Sequence, residues 1–184
     1  FAAGPMGQDP SDPDMSAVPD PASYTVVPWE KGVAVLMCDI HVNDEPWDFS
    51  PRVILKRQLA KLTERGITMM AGFEAEYSLL RRTENGGIAI ADQLDSATAP
   101  CYDAKALSRS LPFLQTTSRY MNQLGWNNYA NDHEDANGQF EQNWKYADAL
   151  TSADRLIFFR YMVHVLAQRG GKRATGMAKP CSNT

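Results

Sequence analysis

Cysteine is scarce in this chain of 184 residues: Cys38, Cys101 and Cys181 stand at wide, unpatterned spacing. That excludes a disulfide framework or a paired-cysteine zinc site and fits reduced thiols. Long apolar runs are lacking too, and none approaches the roughly 20 residues needed to cross a bilayer. No basic segment followed by an apolar stretch stands at residue 1. An excess of positive charge is also missing. The 18 Lys and Arg are interspersed with 22 Asp and Glu for a net charge of −4, so no basic stripe exists to neutralise a phosphate backbone or hold anionic lipid. Nucleic-acid and membrane partners are excluded on these grounds, and a cytoplasmic protein is expected. Internal repeats and low-complexity tracts are absent.

What is present is an ordinary core: 43% of residues are hydrophobic, ample for one large domain or for a small domain joined to part of a larger one. Residues 1–23, rich in Gly, Pro, Asp and Ser, read as an extended loop. Tyr24–Val27 and Val33–Ile40, separated by Pro-Trp-Glu-Lys-Gly, predict a hairpin whose second strand is apolar on both faces and hence buried. Leu55, Leu59 and Leu62 predict a helix over 52–65, with Gly66 as its C-cap. A strand is expected over Thr68–Leu80, and a helix over Asp103–Leu124, interrupted or kinked near Pro112. Residues 139–146 alternate Gln139, Glu141, Asn143 and Lys145 against Phe140, Gln142, Trp144 and Tyr146, the period of a strand with one polar face. Thr151 with Asp154 resembles a helix cap. The helix that follows, to about Gln168, is expected to turn Ile157, Tyr161, His164 and Val165 inward. Strands interspersed with helices and partly joined by hairpins indicate an α+β fold.

Glu74 and Glu76, two apart in a strand, leave the same face with Cα atoms roughly 6.5 to 7 Å apart. A divalent cation of the Mg²⁺ or Mn²⁺ kind relieves the repulsion of such a pair; a solvated strand face carrying two unrelated acids is the plainer reading. In Asn131–Glu141 a carboxylate lies on either side of an Asn-Gly turn. Such a turn folds Glu134 back toward Glu141, so that acids from two stretches of chain meet; an acidic surface hairpin is the alternative. His133 reads as either a hydrogen-bonded core histidine or part of a site, and Tyr146 as either packing or a ligand platform.

The order of these motifs resembles the glutamine synthetase family across most of the chain. Gly72-Phe73-Glu74-Ala75-Glu76-Tyr77 is similar to its G-x-E-x-E-aromatic strand. His133-Glu134 with Gly138-Gln139-Phe140-Glu141 is similar to H-E-x-x-x-G-Q-x-E. Lys145-Tyr146-Ala147-Asp148 resembles the segment that follows, Ala174–Pro180 resembles A-T-F-M-P-K-P, and Asp14-Met15 with Pro19-Asp20 resembles S-D-M and P-D. The resemblance implies that residues 1–46 end a β-grasp domain and that 47–184 begin the catalytic domain, an antiparallel sheet with flanking helices.

It implies as well that Glu76, Glu134 and Glu141 hold one metal, that Glu74 binds a second together with ATP phosphates, and that Mg²⁺ or Mn²⁺ and ATP take part. Glutamate would be phosphorylated on its γ-carboxylate and passed to ammonia or a small amine. Glu134 would help bind and deprotonate that acceptor, with Tyr102 as companion, and Tyr146 would lie beside adenine. Ring-shaped homo-oligomers are implied too.

Some features depart from the family pattern. The N-G-S-G-M-H motif and the later arginines are not found, and the D-G-S-S element is not recognisable. Tyr129 stands where many relatives place an acid, and Gly176 and Ala178 replace Phe and Pro. Starting on Phe1 and stopping at Cys-Ser-Asn-Thr, the chain is expected to be cut at both ends and inactive by itself. The departures resemble the branch that contains γ-glutamylmethylamide synthetases and other glutamate-amine ligases. A glutamine synthetase-like binding or structural protein without catalysis is the competing hypothesis.

Overall fold

The computed structural model describes residues 12–181. The first 11 residues of the expected N-terminal loop and the terminal Ser-Asn-Thr lie outside the described residues. Contacts divide the chain into two compact units, with the division between Met69 and Met70.

In the first unit, β1 (Met15–Pro19) falls within the stretch expected to be loop. It pairs antiparallel with β4 (Cys38–Val42), which also carries β5 (Glu45–Pro46) on its other edge. The pairing is non-local, so the Gly and Pro content around β1 concealed it. The expected hairpin is present as β2 (Thr25–Val26) paired with β3 (Ala34–Val35). Its second run is not one buried strand, however. It breaks between β3 and β4, and Val33 and Leu36 are exposed.

Helix α1 (Pro51–Thr63) begins with Pro at its first position, where the missing N–H costs no hydrogen bond, and ends ahead of Gly66 at φ +70°. From α1, Arg52 reaches Asp20 at 2.8 Å and Asp39 at 2.7 Å, while Lys56 reaches Asp39 at 2.5 Å. One helix face thereby fastens the segment after β1 and the strand β4.

The second unit is built on a sheet of order β12-β7-β10-β9, with β8 on the far end of β7. The expected strand Thr68–Leu80 is divided at Gly72-Phe73 into β6 (Met70–Ala71) and β7 (Glu74–Arg82). Then follow β8 (Ile88–Ile90), α2 (Ala104–Gln123), β9 (Asn128–His133), β10 (Gln139–Trp144), β11 (Ala147–Asp148), α3 (Ala149–Arg169) and β12 (Arg173–Thr175). β11 pairs with β6.

Helix α2 runs through Pro112 without interruption. Pro112 is exposed, so water can take the carbonyl that loses its partner. Ala106, Ser110, Leu114, Thr117 and Met121 on the opposite face are buried on both sides of the proline, and tertiary packing holds the helix together. In α3 the cap is Asp148, which accepts from the Thr151 N–H at 3.0 Å; Thr151 is inside the helix. The inward face also differs from expectation: Phe158, Phe159, Met162, Val163 and Ala167 are buried, whereas Ile157, Tyr161 and His164 are exposed.

The core lies between the sheet and these two helices. Tyr77 of β7 meets Phe159 of α3 edge-on at 5.8 Å, and Trp144 of β10 meets Phe159 at 5.0 Å. Buried Gln142 ties the layers together, accepting from Tyr77 Oη at 2.8 Å and Thr117 Oγ1 at 2.6 Å and donating to Asn131 Oδ1 at 2.6 Å. With alternate residues of β7 and β10 consumed by this core, the opposite face of both strands is left polar. Among the described residues no helix is long and apolar enough to cross a membrane.

Candidate metal centre

In the β7–β10 ladder Glu76 is the Cα partner of Glu141, and Glu74 is the partner of Asn143. Directly paired residues share a face, so the polar face gathers Glu74 and Glu76 with Gln139, Glu141 and Asn143. Glu134 enters from the turn joining β9 to β10. That turn is closed by Glu134 N–H to Gln139 O at 3.0 Å and Gln139 N–H to Ala136 O at 3.0 Å. It needs Gly138, which sits at φ +72° and where a Cβ would stand 2.6 Å from Ile90 Cγ2.

The result is a group of three acids, Glu76, Glu134 and Glu141, whose nearest carboxylate oxygens all lie within 4.8 Å of one another. Hard divalent cations take oxygen at about 2.0 to 2.6 Å, so oxygens on one ion stand no more than about 4 to 5 Å apart, and this donor set fits. Two further amides orient it. Gln139 Nε2 donates to Glu76 Oε2 at 2.5 Å while its Oε1 accepts from the Ala136 N–H at 3.0 Å. Asn143 Nδ2 donates to Glu141 Oε1 at 2.6 Å, and its buried Oδ1 has no partner among the described residues.

The field here is strongly negative. Burial, then the charges of Glu141 and Glu76, raise the Glu134 carboxyl above its usual range. The exposed Cys101 thiol, hydrogen-bonded to Asp135 and facing Glu134 and Asp132, is pushed up to about 11. A cation among the three acids would relieve what the protein alone leaves uncompensated.

Glu74 stands outside the group of three, exposed at the start of β7. It lines a cavity of about 1070 Å³ together with Met70, Tyr129, Lys145 and Tyr146. Tyr102, exposed and at φ 59°, donates its backbone N–H to His133 O at 2.9 Å. Its phenol is raised by Cys101 and then by Glu134. His133 is a core histidine with no exposure, its Nδ1 lying 2.9 Å from Glu134 O and its Nε2 2.7 Å from Asp95 Oδ2.

Asp95 had no sequence signal. It lies in a loop without periodicity and accepts additionally from Gly138 N–H at 2.5 Å and Asn137 Nδ2 at 2.9 Å. Burial works to raise its carboxyl, but these hydrogen bonds prevail and hold it below the usual carboxylate value. Gln139 and Asn143 were legible only as members of a polar strand face.

The chain is similar to several known proteins. The glutamine synthetase catalytic domain profile matches residues 48–184. A glutamine synthetase of Rhizobium leguminosarum bv. phaseoli is 44% identical over 93% of the chain and 39% of the relative. A glutamate–methylamine ligase of Methyloversatilis universalis is 44% identical over 100% of the chain and 41% of the relative. Among solved structures, a GmaS complex with ADP superposes with a TM-score of 0.91 at 43% identity, covering 99% of this chain and 42% of that one. The chain thus spans about two fifths of the length of the relatives it matches. With a family profile covering most of its residues, the chain belongs to the glutamine synthetase family.

Proposed function

We propose that this protein is an ATP-dependent ligase that joins the γ-carboxylate of glutamate to ammonia or a small amine. The observation that carries the reading is the meeting of Glu76, Glu134 and Glu141 within 4.8 Å. A scaffold gains nothing by concentrating acids whose charges resist one another, whereas phosphoryl transfer needs cations at such a place. The relatives named for glutamine synthesis and for methylamine ligation support the same chemistry.

Glu76, Glu134 and Glu141 would hold one divalent ion, Mg²⁺ or Mn²⁺, and Glu74 would serve a second held with ATP phosphates. Such ions supply neutralisation of the charge on nucleotide and acyl donor. The reaction would pass through γ-glutamyl phosphate, which turns a poor acyl donor into a competent one. Glu134, whose anion is disfavoured by burial and by its neighbours, would bind the incoming ammonium or amine and accept its proton, with Tyr102 as companion. Tyr146, on the wall of the cavity of about 1070 Å³ that also includes Glu74, would stack on adenine.

Residues 1–46 are assigned to the end of a β-grasp domain and 47–184 to the first part of the catalytic domain. A ring-shaped homo-oligomer and a cytoplasmic location go with this assignment.

The test supplies the protein, in the longest form its gene encodes, with ATP, Mg²⁺, glutamate and hydroxylamine. Formation of γ-glutamyl hydroxamate with equimolar ADP is expected. Absence of both would favour a binding protein that keeps the fold without catalysis. Replacing hydroxylamine by ammonia, methylamine and ethylamine identifies the acceptor.

A further inference from the structure

The turn between β9 and β10 carries Glu134, and the buried side chain of Asp95, from elsewhere in the chain, contacts that turn at three points. Asp95 has an exposure of 6% and a carboxylate closed to solvent. Its Oδ2 takes the Gly138 N–H and the His133 ring, and its Oδ1 takes the Asn137 amide. These donors belong to the last residue of β9 and the last two residues of the turn, so the carboxylate grips the turn at both ends. The His133 ring passes the constraint on, because its other nitrogen lies 2.9 Å from the carbonyl oxygen of Glu134 itself. Backbone hydrogen bonds within the turn fix its shape; Asp95 is a buried carboxylate that ties it to another part of the molecule at three donors, where Asn137 Nδ2 on Ala97 O at 3.2 Å and the exposed Cys101 on Asp135 each add one contact.

We infer that Asp95 is a positioning residue for the metal centre, setting the height at which Glu134 meets Glu76 and Glu141. The inference rests on the reading of those acids as cation ligands. A carboxylate suits this place because all three partners donate, and two of them cannot accept in exchange. An amide at the same position turns one N–H against a donor. The turn is then free to shift by fractions of an ångström, and ligands one shell out from a cation carry tenfold to hundredfold effects on its affinity. Asn137 is the lesser handle, since it gives Asp95 one of its three donors, its Nδ2 also reaching Ala97 O at 3.2 Å.

The experiment is calorimetric titration of Mn²⁺ into the metal-free protein, in the longest form its gene encodes, and into Asp95→Asn, Asn137→Ala, Glu134→Gln and the Asp95→Asn/Glu134→Gln pair, with circular dichroism on each. Asp95→Asn is expected to keep a wild-type spectrum and bind Mn²⁺ about tenfold more weakly. Adding Asp95→Asn to Glu134→Gln is expected to cost nothing further, because the residue acts through Glu134. Equal affinity of wild type and Asp95→Asn, or a full additional loss in the pair, would overturn the inference. If Asp95→Asn does not fold, Asn137→Ala decides, with a severalfold loss expected and unchanged affinity contradicting it. A wild type that takes up no Mn²⁺, or does so independently of Glu134, refutes the metal reading itself and is recognised as such by the Glu134→Gln titration.

Discussion

Glu76 and Glu141 face each other as Cα partners across the antiparallel ladder of β7 and β10, with Glu134 folded in from the neighbouring turn. Like charges directly opposite in a sheet destabilise it. A protein that keeps this arrangement carries a cost in the metal-free state which a bound cation removes, and the first prediction follows from that sign.

In metal-free protein, Glu134→Gln is expected to raise the midpoint of thermal unfolding by a few degrees. With Mn²⁺ present at about a hundred times its dissociation constant, the wild type gains about 2.7 kcal/mol and the variant gains little. Thermal melts with chelator and with Mn²⁺ check the reversal. A variant less stable than wild type in chelator would contradict the charge argument.

The pH dependence of the same pair has a defined direction. The folded-state pKa of Glu134 lies above the ordinary 4.5, so between those two values the folded state holds the proton more tightly than the unfolded chain. Stability from this group therefore falls as pH rises through that window, and the penalty persists above it. The advantage of metal-free Glu134→Gln is expected to be negligible near pH 4 and fully developed by neutral pH. Urea unfolding of both proteins across this range measures it.

Gly138 is expected to tolerate no side chain. Its φ of +72° is unfavourable for any other residue, and a Cβ there would crowd Ile90 Cγ2 at 2.6 Å and Leu79 O at 3.2 Å. Gly138→Ala is predicted to cost about 2 to 4 kcal/mol in denaturant unfolding and to weaken Mn²⁺ binding with it.

In the first unit, Arg52→Ala removes a side chain only 13% exposed that pairs with Asp20 and Asp39, at an expected cost of about 2 to 4 kcal/mol near neutral pH. Arg52 is the main cause of the lowered Asp20 pKa. Burial opposes the lowering at Asp39 but is outweighed by Lys56 and Arg52. Groups with lowered pKa contribute stability above the ordinary value of 3.8 and lose it as pH falls through their folded values. The gap between Arg52→Ala and wild type is accordingly expected to narrow below about pH 3.8. A gap independent of pH would count against the ion pairs as its source.

The polar face of β10 and the placing of Glu74 and Glu76 on one face of β7 could be read from the sequence, because a period of two is local information. Helices α1, α2 and α3 were legible in extent for the same reason. The inward face of α3 was not: apolar residues surround Ile157–Leu166 almost completely, so periodicity gave no preference between Tyr161 and Met162. β1 escaped because its partner residues stand 19 (Pro19 to Cys38) to 27 (Met15 to Val42) positions along the chain and its own composition reads as loop. Asp95 escaped for a similar reason, lying 38 residues before His133 in a loop whose geometry is decided by what it binds. The Asn-Gly turn announced that Glu134 and Glu141 come close; what fixes the turn was visible only in three dimensions.

The most direct test is electron paramagnetic resonance of Mn²⁺ titrated into the chelator-treated protein and into Glu76→Gln, Glu134→Gln and Glu141→Gln. A shared ion predicts that the wild type quenches the free-Mn²⁺ signal and that each single substitution weakens the uptake at least tenfold. Identical titrations for the wild type and all the variants would contradict it.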